Sequence, residues 1–175
     1  HHKQYGRFIQ GDARKLHTVP QLHKGEFHAA VFLLSIQDMD PLPSVLESVA
    51  WLLRGGGRVV ILMTHPCFRI PRQSGWGWLE ERKLQYRRID RYLTPLSIPL
   101  KPYPTGNRDT GGITISFHRP LEHYINELAG HGFLIDQMKE ITTYKSATGP
   151  RAKAENLANQ EIPLFLGLRA RNNNA

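Results

Sequence analysis

Cysteine is almost missing from this chain. Cys67 stands alone among 175 residues, so no internal disulfide framework can hold the fold and the hydrophobic core has to do so. No uninterrupted apolar run approaches the roughly 20 residues that a membrane-spanning helix needs. The first residues, HHKQYGRF, contain no apolar signal region. A cytoplasmic location without membrane attachment is the expectation. The nine histidines are scattered, with no Cys-x-x-Cys, His-Glu-x-x-His or comparable spacing, so no metal site is expected. There is no internal repeat, and no zinc finger, helix-turn-helix or RNA-binding aromatic motif accompanies the formal charge of +8. Nucleic acid is therefore not an expected partner.

The positive charge itself is unevenly placed. Arg69, Arg72, Arg82, Lys83, Arg87, Arg88 and Arg91 fall in one segment, opposed only by Glu80, Glu81 and Asp90. That concentration fits either a solvated arginine-rich loop or a pocket for an anionic group, with a nucleic-acid surface as a third reading.

The clearest pattern lies between Phe27 and Pro66. Ala29 to Leu34 is continuous and apolar, as in a strand buried on both faces. Pro41 suits a first helical position, with Asp40 as the N-cap before it. Leu42, Val45, Leu46, Val49, Ala50 and Leu53 then mark one helical face. Gly55-Gly56-Gly57 ends that helix, and Arg58 to Met63 reads as a second buried strand. A strand, one helix and a strand make a βαβ unit, which implies parallel pairing with chemistry at the carboxyl ends of the strands.

Elsewhere, Arg7 to Gln10 is a short strand candidate stopped by Gly11-Asp12. Residues 67–112 are rich in proline and glycine and read as a long insertion over the site, with some helix expected around Leu79 to Tyr92. Ile113, Ile115 and Phe117 alternate with polar residues as in a half-exposed strand. Pro120 opens a helix carrying Leu121, Tyr124, Ile125 and Leu128, closed by Gly130 and Gly132. Phe133 to Ile141 is a strand candidate, Thr142 to Gln160 a polar loop, and IPLFLGLRA a last strand whose Pro163 places its start at or near an edge.

The order strand, GDA, strand, helix, LLRGGGRVVI, insertion, helix, strand, strand resembles the C-terminal two-thirds of a class I S-adenosylmethionine (SAM) dependent methyltransferase. The stretches HPCFRIPRQSGWGW, YRRIDRYL, FHRPLEHYINELAGHGF and EIPLFLGLRA together resemble a group of small bacterial methyltransferases of the type 11-like kind. The resemblance covers essentially the whole chain. It implies an α/β, Rossmann-like sheet, mostly parallel with an antiparallel C-terminal strand, in one partial domain over residues 1–175.

FIQGDARKL is similar to the family's third strand and the loop that contacts adenine, which implicates the Asp12 side chain and the Ala13 backbone N–H. FHAAVFLLSIQDM is similar to the fourth strand, so Ser35, Ile36 and Gln37 would line the SAM site. LLRGGGRVVI resembles the turn before the fifth strand, with Gly55 where the family usually has proline.

The family also begins with a strand, an E/D-x-G-x-G-x-G loop and a second strand ending in an acidic residue, and these are missing here. The GGG at 55–57 follows a helix and cannot replace that loop. The chain is accordingly expected to be a fragment, a truncated form or a degenerate homologue, and to be inactive by itself. Losing the first strand would expose the apolar edge at Val31 to Leu34. Either the strand at Phe8-Ile9 packs there, or the chain associates with a second copy.

For the intact family the reaction is methyl transfer to a nucleophile, here on a small-molecule acceptor. His65 and His118 are candidate general bases or structural hydrogen-bonding residues. Arg69, Tyr86, Arg87, Tyr92 and Arg119 are candidates for holding a planar or anionic substrate. A non-catalytic interaction module, or an anion or nucleic-acid binding domain built on the arginine segment, are the alternatives.

Overall fold

A computed structural model describes residues 6–100 and 113–174. Its centre is a four-stranded sheet of order β1-β2-β8-β7. The strands are β1 (Phe27–Leu33), β2 (Leu53–Thr64), β7 (Phe133–Ile141) and β8 (Phe165–Asn172). β1 and β2 run parallel, while β8 is antiparallel to both β2 and β7. The sheet is thus Rossmann-like but only partly parallel. β8 lies in its interior rather than at an edge, and Pro163 precedes the strand where no ladder hydrogen bond is asked of it.

Helix α1 (Leu42–Leu52) connects β1 to β2 across one face. Leu42, Val45, Leu46 and Val49 are buried at the expected helical spacing. They meet Phe32, Val59, Ile61, Met63, Leu166, Leu168 and Ala170 from the sheet, and Tyr124 and Leu128 from α2 (Leu121–Gly130). The N-cap of α1 is Pro41, not Asp40. The Asp40 carboxylate is taken by the Arg119 guanidinium at 2.7 Å, so a long-range ion pair displaces the local cap.

The three glycines do not simply follow the helix. They lie inside β2, where the β1–β2 register jumps from Phe27↔Leu53 to Ala29↔Arg58. Gly56 has φ +71°, and a Cβ on Gly57 would stand 2.8 Å from the Arg54 carbonyl oxygen. Only glycine fits this bulge.

The segment after β2 departs most from expectation. No helix forms near Leu79 to Tyr92; β3 (Ser74–Leu79) and β4 (Leu84–Ile89) make an antiparallel hairpin instead. Gly77 faces Tyr86, and a Cβ there would collide with the tyrosine ring. β5 (Leu96–Leu100) pairs with β6 (Thr114–His118) in a second two-stranded sheet. The part of the expected insertion at 101–112 lies outside the described residues.

In β6 the burial is opposite to the apolar pattern: Ser116 and His118 are buried, Ile115 is exposed. The strand turns its polar face toward the ends of β1 and β2, where polar side chains have partners. α3 (Ala152–Glu161) occupies what reads as a polar loop. Arg7 to Gln10 form no strand, and Phe8 is exposed. Among the described residues nothing pairs with the outer edge of β1. No helix in the described residues is long and apolar enough to cross a membrane.

Candidate functional site

Two cavities open beside the carboxyl ends of β1 and β2, where a βαβ crossover places loops. The first, of about 510 Å³, is lined by Gly11, Asp12, Ala13 and Arg14 on one side and by Asp38, Met39, Asp40, Thr114, Ile115 and Phe117 on the other. The second, of about 400 Å³, is lined by Gln37, Asp38, Thr64, Arg69, Ile70, Pro71, Arg72, Ser74, Arg87, Leu100 and Ser116. Asp38 lines both.

The Asp12 loop is held by polar contacts to α1 and its approach. The Leu16 N–H donates to the buried Ser48 hydroxyl (3.2 Å), and Arg14 donates to the Asp40 carbonyl (3.1 Å). Arg14 also donates to both Asp12 oxygens, at 2.8 to 3.1 Å. Those hydrogen bonds, from the Arg14 side chain first and its backbone N–H second, lower the Asp12 pKa to about 2. With the Arg14 backbone N–H also donating to Oδ1 at 2.9 Å, each carboxylate oxygen accepts two contacts, so Asp12 is held fixed beside the Ala13 backbone with its acceptor sites taken up by Arg14.

At the end of β1, Leu34 adopts φ +51°, an uncommon conformation for a non-glycine residue. Its carbonyl accepts from the Gln37 amide at 2.7 Å, which folds the tight turn Ile36–Asp38. Ile36 is fully buried in the core; neither it nor Ser35 lines either cavity. Asp38 is accessible to solvent, yet desolvation by the surrounding protein raises its pKa, with the Ser116 hydroxyl acting in the opposite direction.

Between the cavities lies a small void of about 10 Å³ lined by Gln37, Thr64, Arg69, His118, Arg119 and Tyr124, among others. That is room for about one water molecule. Gln37 Oε1 and Arg119 Nη1, both buried, have no protein partner among the described residues. Arg119 otherwise acts as a tether, donating through Nη2 to the Met39 carbonyl (2.8 Å) as well as to Asp40.

The two histidines are placed differently from each other. His65 is buried, and its Nδ1 accepts the Cys67 N–H at 3.2 Å. Its proton must then sit on Nε2, which donates to Glu140 Oε1 at 3.1 Å. Burial pushes its pKa down, with Glu140 opposing, so both ring nitrogens of the neutral form are engaged. His118 donates through Nε2 to the Tyr92 carbonyl (2.7 Å), and burial lowers its pKa also. Neither ring lines the two larger cavities.

Tyr92 accepts from the Leu121 N–H (3.0 Å) and from the Cys67 thiol (3.4 Å), tying α2 to the segment after β2. Tyr86 lies on the hairpin surface over Gly77. Of the expected site residues, the structure gathers Asp12 with Ala13, and Gln37 with Arg69 and Arg87. Arg72, from the same basic segment, joins them, as do Asp38, Thr64 and Ser116, which were not singled out in the sequence. The DM dipeptide of FHAAVFLLSIQDM was the available signal for Asp38.

No protein-family model matches the chain, and no curated protein is significantly similar to it. Solved structures do match. A SAM-dependent methyltransferase from Mesorhizobium loti is 25% identical, with a TM-score of 0.63 over 92% of this chain and 67% of its own. The fold is that of a SAM-dependent methyltransferase. A Listeria monocytogenes protein assigned to the same class has a TM-score of 0.64 at 19% identity, over 90% of this chain and 66% of its own. A Bacillus halodurans protein assigned as a methyltransferase aligns over 96% of this chain and 78% of its own, at 10% identity and a TM-score of 0.50. The chain thus spans about two thirds of the length of the first two relatives.

Proposed function

We propose that this chain belongs to a methyltransferase that moves the methyl group of SAM to a small-molecule acceptor, with the two cavities dividing the work. The observation that carries this reading is the pair of cavities meeting at Asp38, at the strand ends of a methyltransferase fold. The first cavity is of a size that takes small ligands, typically about 300–1,000 Å³, and it sets an acceptor carboxylate beside a backbone N–H. An adenine amino group would displace one Arg14 donor from Asp12, so that the Asp12 carboxylate and the Ala13 backbone N–H would hold the adenosine end. Ile115 and Phe117 give apolar walls.

SAM supplies an already activated methyl group, so the protein's contribution is alignment and proton removal. Asp38 lies where both ligands would meet. Its raised pKa makes the carboxylate a better base than an ordinary aspartate, and it would receive the proton released from the acceptor nucleophile on an Oδ atom. Thr64 and Ser116 supply hydroxyls that orient the acceptor. Titration calorimetry with S-adenosylhomocysteine, run on this chain and on any longer native form, tests the reading: saturable binding, weakened several-fold by Asp12→Ala, is expected of the longer form at least. Absence of binding by both at millimolar ligand would overturn it.

A second reading rests on the unpaired edge of β1. Val31 and Leu33 are about two-thirds exposed, and a free strand edge beside apolar side chains favours pairing with the same edge of a second copy. Sedimentation would show a concentration-dependent dimer, lost in a Val31→Lys, Leu33→Lys double variant. A stable monomer at high concentration would exclude it.

A further inference from the structure

Arg69, Arg72 and Arg87 line one cavity together. Six other arginines find a carboxylate between 2.7 and 3.6 Å: Arg14, Arg88, Arg119, Arg151, Arg169 and Arg171. The three at the cavity form no ion pair with any acid among the described residues. Neutral groups position them instead. Arg87 donates to the Phe68 carbonyl (2.7 Å) and the Ser74 hydroxyl (2.9 Å) and lies over the Trp76 ring at 5.0 Å. Arg69 lies over Phe165 at 4.8 Å. Arg72 donates to the Pro99 carbonyl at 2.7 Å from a left-handed backbone, φ +61°.

A carbonyl or an aromatic face fixes a guanidinium without cancelling its charge. Burial and then the charge of Arg69 lower the proton affinity of Arg87, but a guanidinium stays protonated at any physiological pH. The positive charge is therefore permanent, and no carboxylate among the described residues forms an ion pair with it. The acid that shares the lining, Asp38, has its charged form disfavoured by desolvation. Arg69 and Arg72 are exposed and Arg87 is half-buried, so a ligand reaches the site from solution. Ser74, Thr64 and Ser116 add neutral donors around the same space.

We propose that this cavity binds an oxyanion borne by the methyl acceptor, so that the acceptors are anionic small molecules carrying a phosphate or carboxylate group. Guanidinium forks match both groups in shape. A doubly charged phosphate answers three unpaired cations better than a single carboxylate does. The assignment of the anion to a methyl acceptor rests on the proposed function; the anion site itself does not.

The test titrates the protein with inorganic phosphate, acetate and chloride at constant ionic strength, following the arginine Nε–Hε resonances, with S-adenosylhomocysteine titrated separately. Saturable phosphate binding is expected, weakened about tenfold or more by Arg69→Gln, while S-adenosylhomocysteine affinity stays unchanged. Arg72→Gln, an exposed change, and Arg87→Lys, which keeps the charge but loses the fork, provide further variants if Arg69→Gln fails to fold. Acetate binding more tightly than phosphate would assign the site to carboxylates, within the same proposal. Phosphate and acetate both acting no differently from chloride, or binding that ignores all three variants, would overturn it. Arginine-dependent phosphate binding, with no S-adenosylhomocysteine binding by this chain or by any longer native form, would uphold the anion site and remove the methyltransferase reading.

Discussion

The two faces of the central sheet are dressed differently. On one, Phe32, Val59, Ile61, Met63, Leu166, Leu168 and Ala170 lie under α1 and α2 and are buried. On the other, Val31, Leu33 and Val60 remain exposed, and a groove of about 300 Å³ runs over Val60, Leu62, Ile141 and Gly167. The residues of β1 do not distinguish the two sides, since Ala30 and Phe32 are no more apolar than Val31 and Leu33. A strand apolar on both sides is built for a sheet covered on both faces. Stability should therefore reside on the α1 face, and association on the other.

The largest expected difference comes from truncating matched residues on the two faces. Ile61→Ala should lower unfolding stability by about 2–5 kcal/mol, while Val60→Ala should cost well under half as much. Chemical denaturation midpoints check both, and equal losses would break the contrast. A smaller effect is expected where β8 meets α1. Asn172 is buried, and its amide donates to the carbonyls of Ala50, Leu53 and Arg54 at 3.2 to 3.4 Å. Asn172→Ala should cost about 1–3 kcal/mol by leaving those acceptors unpaired.

Acid should act through the two buried histidines. The pKa values of His65 and His118 are lowered in the fold, so the unfolded chain takes up these protons first. Their contribution is complete above about pH 6.5, the unperturbed histidine value, and is lost as pH falls through the folded values. Melting temperature should fall between pH 7 and pH 5, less steeply in His65→Gln.

Asp38 carries the opposite sign. Its raised folded pKa favours the fold at low pH, and that advantage disappears as pH rises through the folded value. Asp38→Asn should accordingly melt slightly higher than the parent at pH 7, and no higher near pH 3. If Asp38 is the base, the same variant loses methyl transfer and the acid limb of its pH profile. The smallest change in stability, within about 0.5 kcal/mol, is expected for charges placed at Val31 and Leu33, although they should abolish any dimer.

The elements legible in the sequence are those with a periodicity of their own: β1, α1, β2, α2, β7 and β8, together with β6, which forms as a strand although its polar face is the buried one. What escaped depends on distant partners. LQYRRI becomes a strand because Trp76 and Gly77 stand opposite Arg87 and Tyr86, a pairing that local preference does not encode. α3 buries only Ala158, too narrow a stripe to stand out from a polar loop. Arg7 to Gln10 has strand composition but no neighbour to bond. At the site, Asp12, Ala13, Gln37, Arg69 and Arg87 were accessible from motif likeness and charge clustering. Ser116 was not, and the pairing of Ser116 with Asp38 was not, because β6 brings them together from positions far apart in the chain.

The buried Asn172 amide also bears on how the chain folds as it leaves the ribosome. It reaches carbonyls at the junction of α1 and β2 roughly 120 residues earlier, and β8 supplies the second neighbour of β2. The βαβ unit is synthesised roughly a hundred residues before the strand that completes its ladder. Such long sequence separation slows folding. Until β8 arrives, β2 presents an open, apolar edge, and the nascent chain depends on remaining unpaired for the time taken to translate everything between.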